Sequence, residues 1–214
     1  MVIKDNTLKR TTDTALADKL WMEFYTEKGW GWLGVQSGSM LPLIHPGDKV
    51  LISRVTAEHI GGGDIIVFRR GGDMVAHRIL GKRRTDEGSL FIEKGDNSPA
   101  RGRFSADKVI GRVTMGKGNG RLYSLDSPLS QLTSRALSVW FYGTTVIIGR
   151  LELVMGRRAG RVLYSLSLPA SNVLVRVCSI VWYIAGLRAK RRAWSGREEG
   201  QGVGDAVSTR EYKI

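Results

Sequence analysis

The sequence predicts a mainly β protein, with a β-barrel or sandwich core between an N-terminal amphipathic helix and a C-terminal helical region. Short β-type runs alternate with glycine-rich turns from residue 32 to residue 123, as in all-β domains. The stretches on either side carry apolar residues at helical spacing instead. We therefore divide the chain into an N-terminal helix (1–30), a β domain (31–124), a basic helical region (125–192) and a tail (193–214).

The first predicted element is an amphipathic helix over residues 14–28. Its apolar side chains fall on one face of a helix with 3.6 residues per turn; they are Leu16, Leu20, Trp21, Phe24 and Tyr25. No run of about 20 apolar residues, the length needed to cross a bilayer, precedes residue 34. We therefore expect no N-terminal signal anchor.

The β domain is predicted to contain six short strands. Gly, Pro, Asp and Asn cluster between the apolar runs, where turns need such residues; the clusters are residues 46–48, 61–64, 71–73 and 95–97. The predicted strands are residues 34–36, 49–55, 65–69, 74–81, 89–93 and 109–114.

The C-terminal region is predicted to form two helical segments. Residues 136–149, 162–175 and 177–187 contain no charged side chain. Each of these runs is shorter than a bilayer span. We therefore expect helices that pack on the β domain, lie on a membrane, or both, and a transmembrane hairpin is the less favoured arrangement. The tail from residue 193 is rich in glycine and charge and is predicted to be disordered.

The charge of the chain points to an anionic partner. It carries 33 basic and 20 acidic residues, a formal net charge of +13. Residues 121–192 contain eleven of the basic residues but only two acidic ones, and they also hold the long apolar runs. This combination favours an anionic membrane surface, although a helical cap with solvated arginines gives the same pattern. No nucleic-acid partner is expected, because the aromatic residues cluster in the predicted helices rather than on a basic β-face.

The sequence contains no pattern typical of a metal or cofactor site. A single cysteine, Cys178, excludes an internal disulfide. The three histidines, His45, His59 and His77, lack the spacing of metal ligands. We therefore expect no metal and no cofactor.

A candidate nucleophile lies in residues 37–42, Ser-Gly-Ser-Met-Leu-Pro. Gly38 allows a substrate to approach the backbone closely. A serine in such a turn exposes its hydroxyl beside amide groups that can bind an oxyanion. Ser39 is the candidate nucleophile, and Ser37 can add a hydroxyl to the oxyanion hole. On these residues alone, a simple strand-to-turn connection is the commoner interpretation.

A serine hydroxyl needs a general base, and His77 is the candidate. It lies in a predicted strand, where alternation puts it on the same face as Val75 and Ile79. An imidazole with an unperturbed pKa of about 6.5 suits a base that works near neutrality, whereas a buried structural histidine is the alternative. His45 follows the candidate nucleophile too closely and lies beside a predicted turn, and His59 lies in a predicted loop.

The order of motifs along residues 34–113 resembles that of type I signal peptidases. These motifs are Ser-Gly-Ser-Met-x-Pro (37–42), Pro-Gly-Asp (46–48), Gly-Asp-Ile-Ile-Val-Phe (63–68), Ala-His-Arg-Ile (76–79) and Lys-Gly-Asp-Asn (94–97). No single motif is specific, but the ordered series is. A histidine followed by arginine resembles the branch of the family found in archaea, the endoplasmic reticulum and some spore-forming bacteria, whereas the bacterial housekeeping branch has a lysine there.

This resemblance implies a signal-peptidase-like fold for the β domain and a Ser–His mechanism. Ser39 is then the nucleophile, His77 is its base, and the backbone at Ser39 forms the oxyanion hole with Ser37. Asp96 matches the first acidic residue of the family's last motif and would orient or electrostatically support the histidine. The implied substrates are precursor polypeptides with small residues just before the cut.

The sequence departs from that branch after Gly-Asp-Asn, where a second aspartate usually follows within a few residues. Residues 98–103 contain none, and Asp107 is the alternative acidic member. The third member of the site therefore stays open between Asp96 and Asp107.

The leading hypothesis is a serine endopeptidase that cleaves signal or leader peptides through an acyl-enzyme. A self-cleaving-repressor-type peptidase is less favoured, because it expects a lysine in place of His77 and an attached DNA-binding domain. The remaining hypothesis is a non-catalytic binding module on the same fold, which the incomplete acidic set favours.

Overall fold

The computed structural model describes residues 19–86, 88–118 and 120–195. Within these residues the chain forms one antiparallel sheet of eight strands followed by two long helices, so the predicted mainly β fold is confirmed. Residues 14–18 of the predicted first helix, and residues 196–214 of the predicted tail, lie outside the described residues. The first three residues of that tail, 193–195, are helical rather than disordered.

The elements follow one another along the chain with short connections. A first helix, α1, covers residues 19–28. The strands are β1 (Trp30–Gly34), β2 (Lys49–Ser53), β3 (Ile65–Arg70), β4 (Asp73–Thr85), β5 (Gly88–Lys94), β6 (Arg101–Ser105), β7 (Val109–Gly118) and β8 (Arg121–Ser124). The C-terminal helices are α2 (Pro128–Met155) and α3 (Arg157–Ser195).

The sheet has the strand order β1-β2-β7-β3-β4-β5-β6, and β8 pairs with the end of β7. A bulge at Leu80 interrupts the β4–β5 ladder between the pairs Ile79–Glu93 and Gly81–Ile92. Bulges fix the register of a ladder. The register places Arg78 opposite Lys94.

Each face of the sheet has its own apolar cluster, because side chains alternate along a strand. We call one the helix-covered face; its buried residues include Val67, Ala76 and Leu80 of the strands, and Leu137, Phe141 and Trp182 of the helices. We call the other the aromatic face; it contains Ile66, Phe68, Ile79, Phe91 and Phe104. The rings of Phe68 and Phe104 stack with their centroids 3.9 Å apart.

Helix α1 packs on the helix-covered face through two aromatic side chains. Trp21 donates a hydrogen bond from Nε1 to the Trp32 carbonyl (3.1 Å), and the Tyr25 hydroxyl donates to the Ile110 carbonyl (2.8 Å). Leu20, which the sequence assigns to the same apolar face, is exposed. The buried stripe of α1 is therefore narrower than predicted.

Helices α2 and α3 form an antiparallel hairpin whose base packs on the sheet. The Ser127 hydroxyl caps α2 by accepting from the Ser130 amide (3.1 Å). The Trp182 indole of α3 is buried and donates to the Ser130 carbonyl (3.1 Å). In contrast, no side chain described between residues 142 and 170 is buried. This far half of the hairpin therefore has little cover from the sheet.

The strand predictions differ from the structure mainly in number and in the first strand. The structure adds β6 and β8, which the sequence does not predict, because β6 holds a single large apolar side chain and β8 is only four residues long. The predicted strand at residues 34–36 is wrong except at its first residue, because β1 begins at Trp30 and ends at Gly34.

Candidate active site

The loop that carries Ser39 joins β1 to β2 and is anchored by apolar side chains. Met40, Leu43 and Ile44 are buried in the core under the helix-covered face. The Met40 carbonyl accepts from the amides of Leu43 (3.1 Å) and Ile44 (3.0 Å), which forms a helical turn. The buried residues after Ser39 therefore fix its backbone while its side chain stays half-exposed.

The Pro-Gly-Asp motif closes this loop at its base. The Gly47 amide donates to the Val35 carbonyl and the Val35 amide donates to the Asp48 carbonyl, both at 2.8 Å. The buried Asp48 side chain also accepts from the His45 amide (2.8 Å). Asp48 thus holds the loop together from inside, and His45 lies directly before the turn at Pro46 and Gly47, as the sequence predicts.

Ser37, Ser39 and the turn after β5 meet at one place. The hydroxyl oxygens of Ser37 and Ser39 are 3.3 Å apart. The Asn97 amide donates to the Ser39 carbonyl at 2.8 Å, and the Asn97 side chain donates to the Gly38 carbonyl at 3.3 Å. The Gly-Asp-Asn turn therefore holds the serine loop against the end of β5.

Ser39 and His77 approach each other across Gly95. Because Arg78 pairs with Lys94, the next position along the ladder brings Gly95 opposite His77. A Cβ atom on Gly95 would lie 2.7 Å from the Ser39 carbonyl oxygen and 3.0 Å from Nε2 of His77. Only glycine allows the backbone so close to both residues.

His77 lies on the aromatic face, which is where strand alternation predicts it. Its ring packs beside Phe68, with 6.2 Å between the ring centroids, and it is only 9% exposed. Its Nδ1 atom makes a short hydrogen bond with Oε2 of Glu93. With Nδ1 engaged in this way, Nε2 is the ring nitrogen that faces Gly95 and the serine loop.

The partner of His77, Glu93, is a site residue that the sequence does not predict. Glu93 is 1% exposed, and its second oxygen accepts from Nη2 of Arg70. Burial alone raises the pKa of Glu93, but the hydrogen bonds from His77 and Arg70 outweigh it and hold the pKa below its ordinary value. The carboxylate is therefore ionised at neutral pH. The one signal in the sequence is the period-two alternation of β5, which puts Glu93 on the same face as Phe91 but does not give its partner.

Asp96, which the sequence assigns to His77, pairs instead with Arg78 on the helix-covered face. Both of its oxygens accept from the Arg78 guanidinium, at 2.8 and 2.7 Å, and both side chains are fully buried. The same guanidinium donates to the Gly63 carbonyl (3.0 Å) and lies over the Trp182 ring. Asp96 therefore lies next to the site in sequence but on the opposite side of the sheet.

Asp107, the alternative acidic residue, lies in an exposed 3₁₀ turn between β6 and β7. Its carboxylate accepts from the Ser105 hydroxyl and pairs with Lys108. Neither Asp96 nor Asp107 contacts the histidine ring, whereas Glu93 does. Among the described residues, no group of three His, Cys, Asp or Glu side chains is arranged to hold a metal ion.

A cleft of about 550 Å³ separates the turn after β5 from the helical hairpin. Lys94 lies at its floor, with Nζ 3.1 Å from the Gly95 carbonyl and 4.5 Å from the Phe141 ring centroid. Burial lowers the pKa of Lys94 and outweighs the attraction of nearby Asp96. Lys94 points to the helix-covered face, so it is separated from His77 by the thickness of the sheet.

A comparison with protein families finds one family model that covers most of the β domain. The family model for Peptidase S24-like proteins matches residues 5–118, which is more than half of the chain.

A comparison with curated proteins finds similarity to signal peptidase subunits. The signal peptidase complex catalytic subunit SEC11C from Homo sapiens, Mus musculus and Canis lupus familiaris is in each case 37% identical over 67 residues. The match covers 30% of this chain and 35% of each relative. The chain therefore spans about a third of the length of the curated relatives that it matches.

Proposed function

The chain belongs to the Peptidase S24-like family, and on this basis we propose that it is a serine endopeptidase that cleaves signal or leader peptides. The main support is that Ser39 and His77 flank Gly95, because a Cβ atom there would lie 2.7 Å from the Ser39 carbonyl oxygen and 3.0 Å from Nε2 of His77. A nucleophile and a base at such a meeting point suit acyl transfer.

The proposed reaction proceeds through an acyl-enzyme. Nε2 of His77 takes the proton of the Ser39 hydroxyl as the oxygen attacks the scissile carbonyl carbon. The oxyanion of the tetrahedral intermediate accepts hydrogen bonds from the Ser39 amide and the Ser37 hydroxyl. His77 then gives its proton to the leaving amine, and water attacks the remaining ester to release the second product.

The proposed substrates are precursor polypeptides with small residues just before the cut. The similar proteins are catalytic subunits of a signal peptidase complex, and the half-exposed Ser39 lies in a loop that an extended peptide can reach. A soluble leader peptide fits the same residues as a membrane-borne signal peptide. The substrate panel below therefore contains both kinds.

The test is cleavage of signal-peptide and leader-peptide precursors by wild type, S39A and H77A, with anionic vesicles present. Removal of either member of a serine–histidine pair lowers kcat by about 10⁴-fold or more, so both variants are expected to leave the precursors intact. S37A removes one oxyanion donor and is expected to lower kcat by about 10²–10³-fold.

H59A is the matched control, because His59 lies in an exposed 3₁₀ turn away from the serine loop. It is expected to cleave at the wild-type rate. Circular dichroism and thermal unfolding of each variant show whether the fold is retained. Cleavage by a folded S39A protein would rule out the mechanism.

We also propose an anionic membrane surface as a partner, bound by the far end of the helical hairpin. Leu153, Val154 and Met155 end α2 with exposures of 88, 84 and 63%. The exposed Arg150 and Arg158 flank them. Two helical stretches of the described chain, Pro128–Met155 and Val162–Leu187, are also long and apolar enough to cross a membrane. Apolar side chains bordered by arginines are typical of segments that insert into anionic lipid.

A further inference from the structure

The acidic partner of His77 lies on an unexpected strand. A histidine that acts as a base needs an acceptor at Nδ1, which holds the ring in the tautomer whose Nε2 is free and stabilises the imidazolium that forms. Glu93 of β5 makes that contact, and both side chains are buried. Residues 98–103 contain no aspartate, whereas the branch of signal peptidases that the sequence resembles usually has one a few residues after Gly-Asp-Asn.

We propose that Glu93 is the positioning residue of the Ser39–His77 pair, and that it takes the place of the acid that the family usually has a few residues after Gly-Asp-Asn. This inference rests on the proposed function for its catalytic consequence. Its structural part concerns only how Glu93 sets the tautomer and orientation of the imidazole.

Arg70 of β3 fixes the carboxylate from its other side. Its Nη2 binds Oε1 of Glu93, which leaves Oε2 for His77. The Arg70 guanidinium lies 5.0 Å from the centroid of the Phe68 ring, and the same ring packs beside His77. Arg70 therefore keeps the carboxylate ionised and directed at the imidazole, and the Phe68 ring packs against both Arg70 and His77.

Gly102 of β6 provides the space that Glu93 occupies. The β5–β6 ladder pairs Gly102 directly with Glu93. A Cβ atom on Gly102 would overlap Oε1 of Glu93 and lie 2.7 Å from Nη2 of Arg70. A side chain on residue 102 thus begins where the Glu93 carboxylate ends. The same space accepts an acid from β5 or from β6, but not from both.

The first test is the proton NMR signal of the His77 ring in the free protein. A proton shared between an imidazole and a buried carboxylate resonates far downfield, so wild type is expected to show one such signal that disappears in H77A and in E93Q. E23Q makes the same change at an exposed glutamate of α1 and is expected to retain the signal. Persistence of the signal in a folded E93Q protein would overturn the proposal.

The second test moves the acid between strands. E93Q is expected to lower kcat by up to about 10⁴-fold, the loss seen when a triad aspartate becomes asparagine, with little change in KM. E93A is expected to be similarly slow. The double variant E93A/G102D restores a carboxylate beside His77 from β6 and is expected to recover at least tenfold of the lost turnover.

A folded double variant that is no faster than E93A would overturn the proposal, as would an E93Q protein with wild-type turnover. The NMR signal is measured without substrate. If no precursor is cleaved, the proposed function fails while the signal still decides whether Glu93 positions His77.

Discussion

At the scale of single residues, the neighbours His77 and Arg78 make their contacts on opposite faces of the sheet. His77 meets Glu93 on the aromatic face, and Arg78 binds Asp96 under the helices. Side chains alternate along a strand, and the two carboxylates are three positions apart in the chain. They therefore belong to opposite faces, so the Glu93–His77 hydrogen bond and the Asp96–Arg78 ion pair form on opposite sides of the sheet between the same two chain segments.

Glu93 also makes the free energy of unfolding of the protein depend on pH. Although burial raises the pKa of Glu93, its hydrogen bonds to His77 and Arg70 hold the pKa below the ordinary value of 4.5. The unfolded chain therefore takes up the proton at a higher pH than the folded chain. The contribution to stability is complete above that ordinary pKa and is lost as the pH falls through the folded pKa.

We expect the difference in free energy of unfolding between wild type and E93Q to be largest near neutral pH. The same difference is expected to shrink as the pH falls below 4.5. Urea unfolding of both proteins between about pH 3 and pH 7 measures it. A difference that is constant over this range would contradict the assignment of an ionised carboxylate.

The sequence predicts Ser39 and His77 but not Glu93, and the alternation of side chains along the strands explains the difference. The order of motifs indicates Ser39 and His77, and alternation puts His77 on the observed face. Glu93 is missed because the predicted strand ends there, so its side chain has no assigned neighbour. Its contact with His77 depends on the register of β5, and the bulge at Leu80 that fixes this register has no clear signal in the sequence.

At the scale of elements, the glycine turn before β3 seats helix α2. The Gly61 amide donates to the Asp64 side chain, and the Gly63 amide donates to the Ile79 carbonyl. Gly63 has a φ of +98°, and a Cβ atom there would lie 2.6 Å from the Ser134 carbonyl carbon of α2. The helix backbone therefore rests directly on the backbone of this turn.

G63A is expected to lower the free energy of unfolding by at least about 2 kcal/mol, because it combines an unfavourable φ with a backbone collision. G61A is the matched control in the same turn, since nothing lies near a Cβ atom at Gly61. It is expected to change stability by no more than about 0.5 kcal/mol. Urea midpoints compare the two. Equal midpoints would contradict the close seating of α2.

Edge position explains which strands the sequence predicts poorly. The inner strand β3 begins where predicted and ends one residue later, because four buried apolar residues mark it. The misplaced β1 and the missed β6 lie at the two ends of the sheet order. An edge strand with one exposed side needs few apolar residues, so the Arg-Gly-Arg-Phe-Ser segment of β6 has the composition of a loop.

At the scale of the whole molecule, the apolar surface is concentrated on the hairpin of α2 and α3. Of the large apolar side chains that are exposed in the described chain, all but Leu20 and Trp30 belong to these two helices. The base of the hairpin packs on the sheet, so the far end is the part of the hairpin whose apolar side chains are free to contact a partner. The sheet thus carries the proposed active site, and the far end of the hairpin carries the proposed contact with lipid.

L153E/V154E is expected to lower the affinity of the protein for vesicles that contain anionic lipid by at least about a hundredfold. Flotation with the vesicles measures this affinity. Each buried Leu or Val side chain stabilises binding by about 1.5–3 kcal/mol, and the added charges repel the surface. L129E/L132E is the matched control, because Leu129 and Leu132 are also exposed (54 and 63%) but lie near the base of α2. Equal loss in both variants, or no loss in either, would contradict binding by the far end.

These two carboxylate contacts on opposite faces have a consequence for how the chain can misfold. A β5 strand displaced by one residue against β4 would exchange its faces, so that Glu93 met Arg78 and Lys94 met His77. Such a trapped form would keep its sheet, its helices and one buried ion pair, yet it would have a lysine beside the imidazole. Circular dichroism would not distinguish it from the native protein, whereas turnover and the downfield proton signal of His77 would. We expect the bulge at Leu80 to disfavour this displaced pairing, because the extra residue there belongs to the native alignment of the two strands.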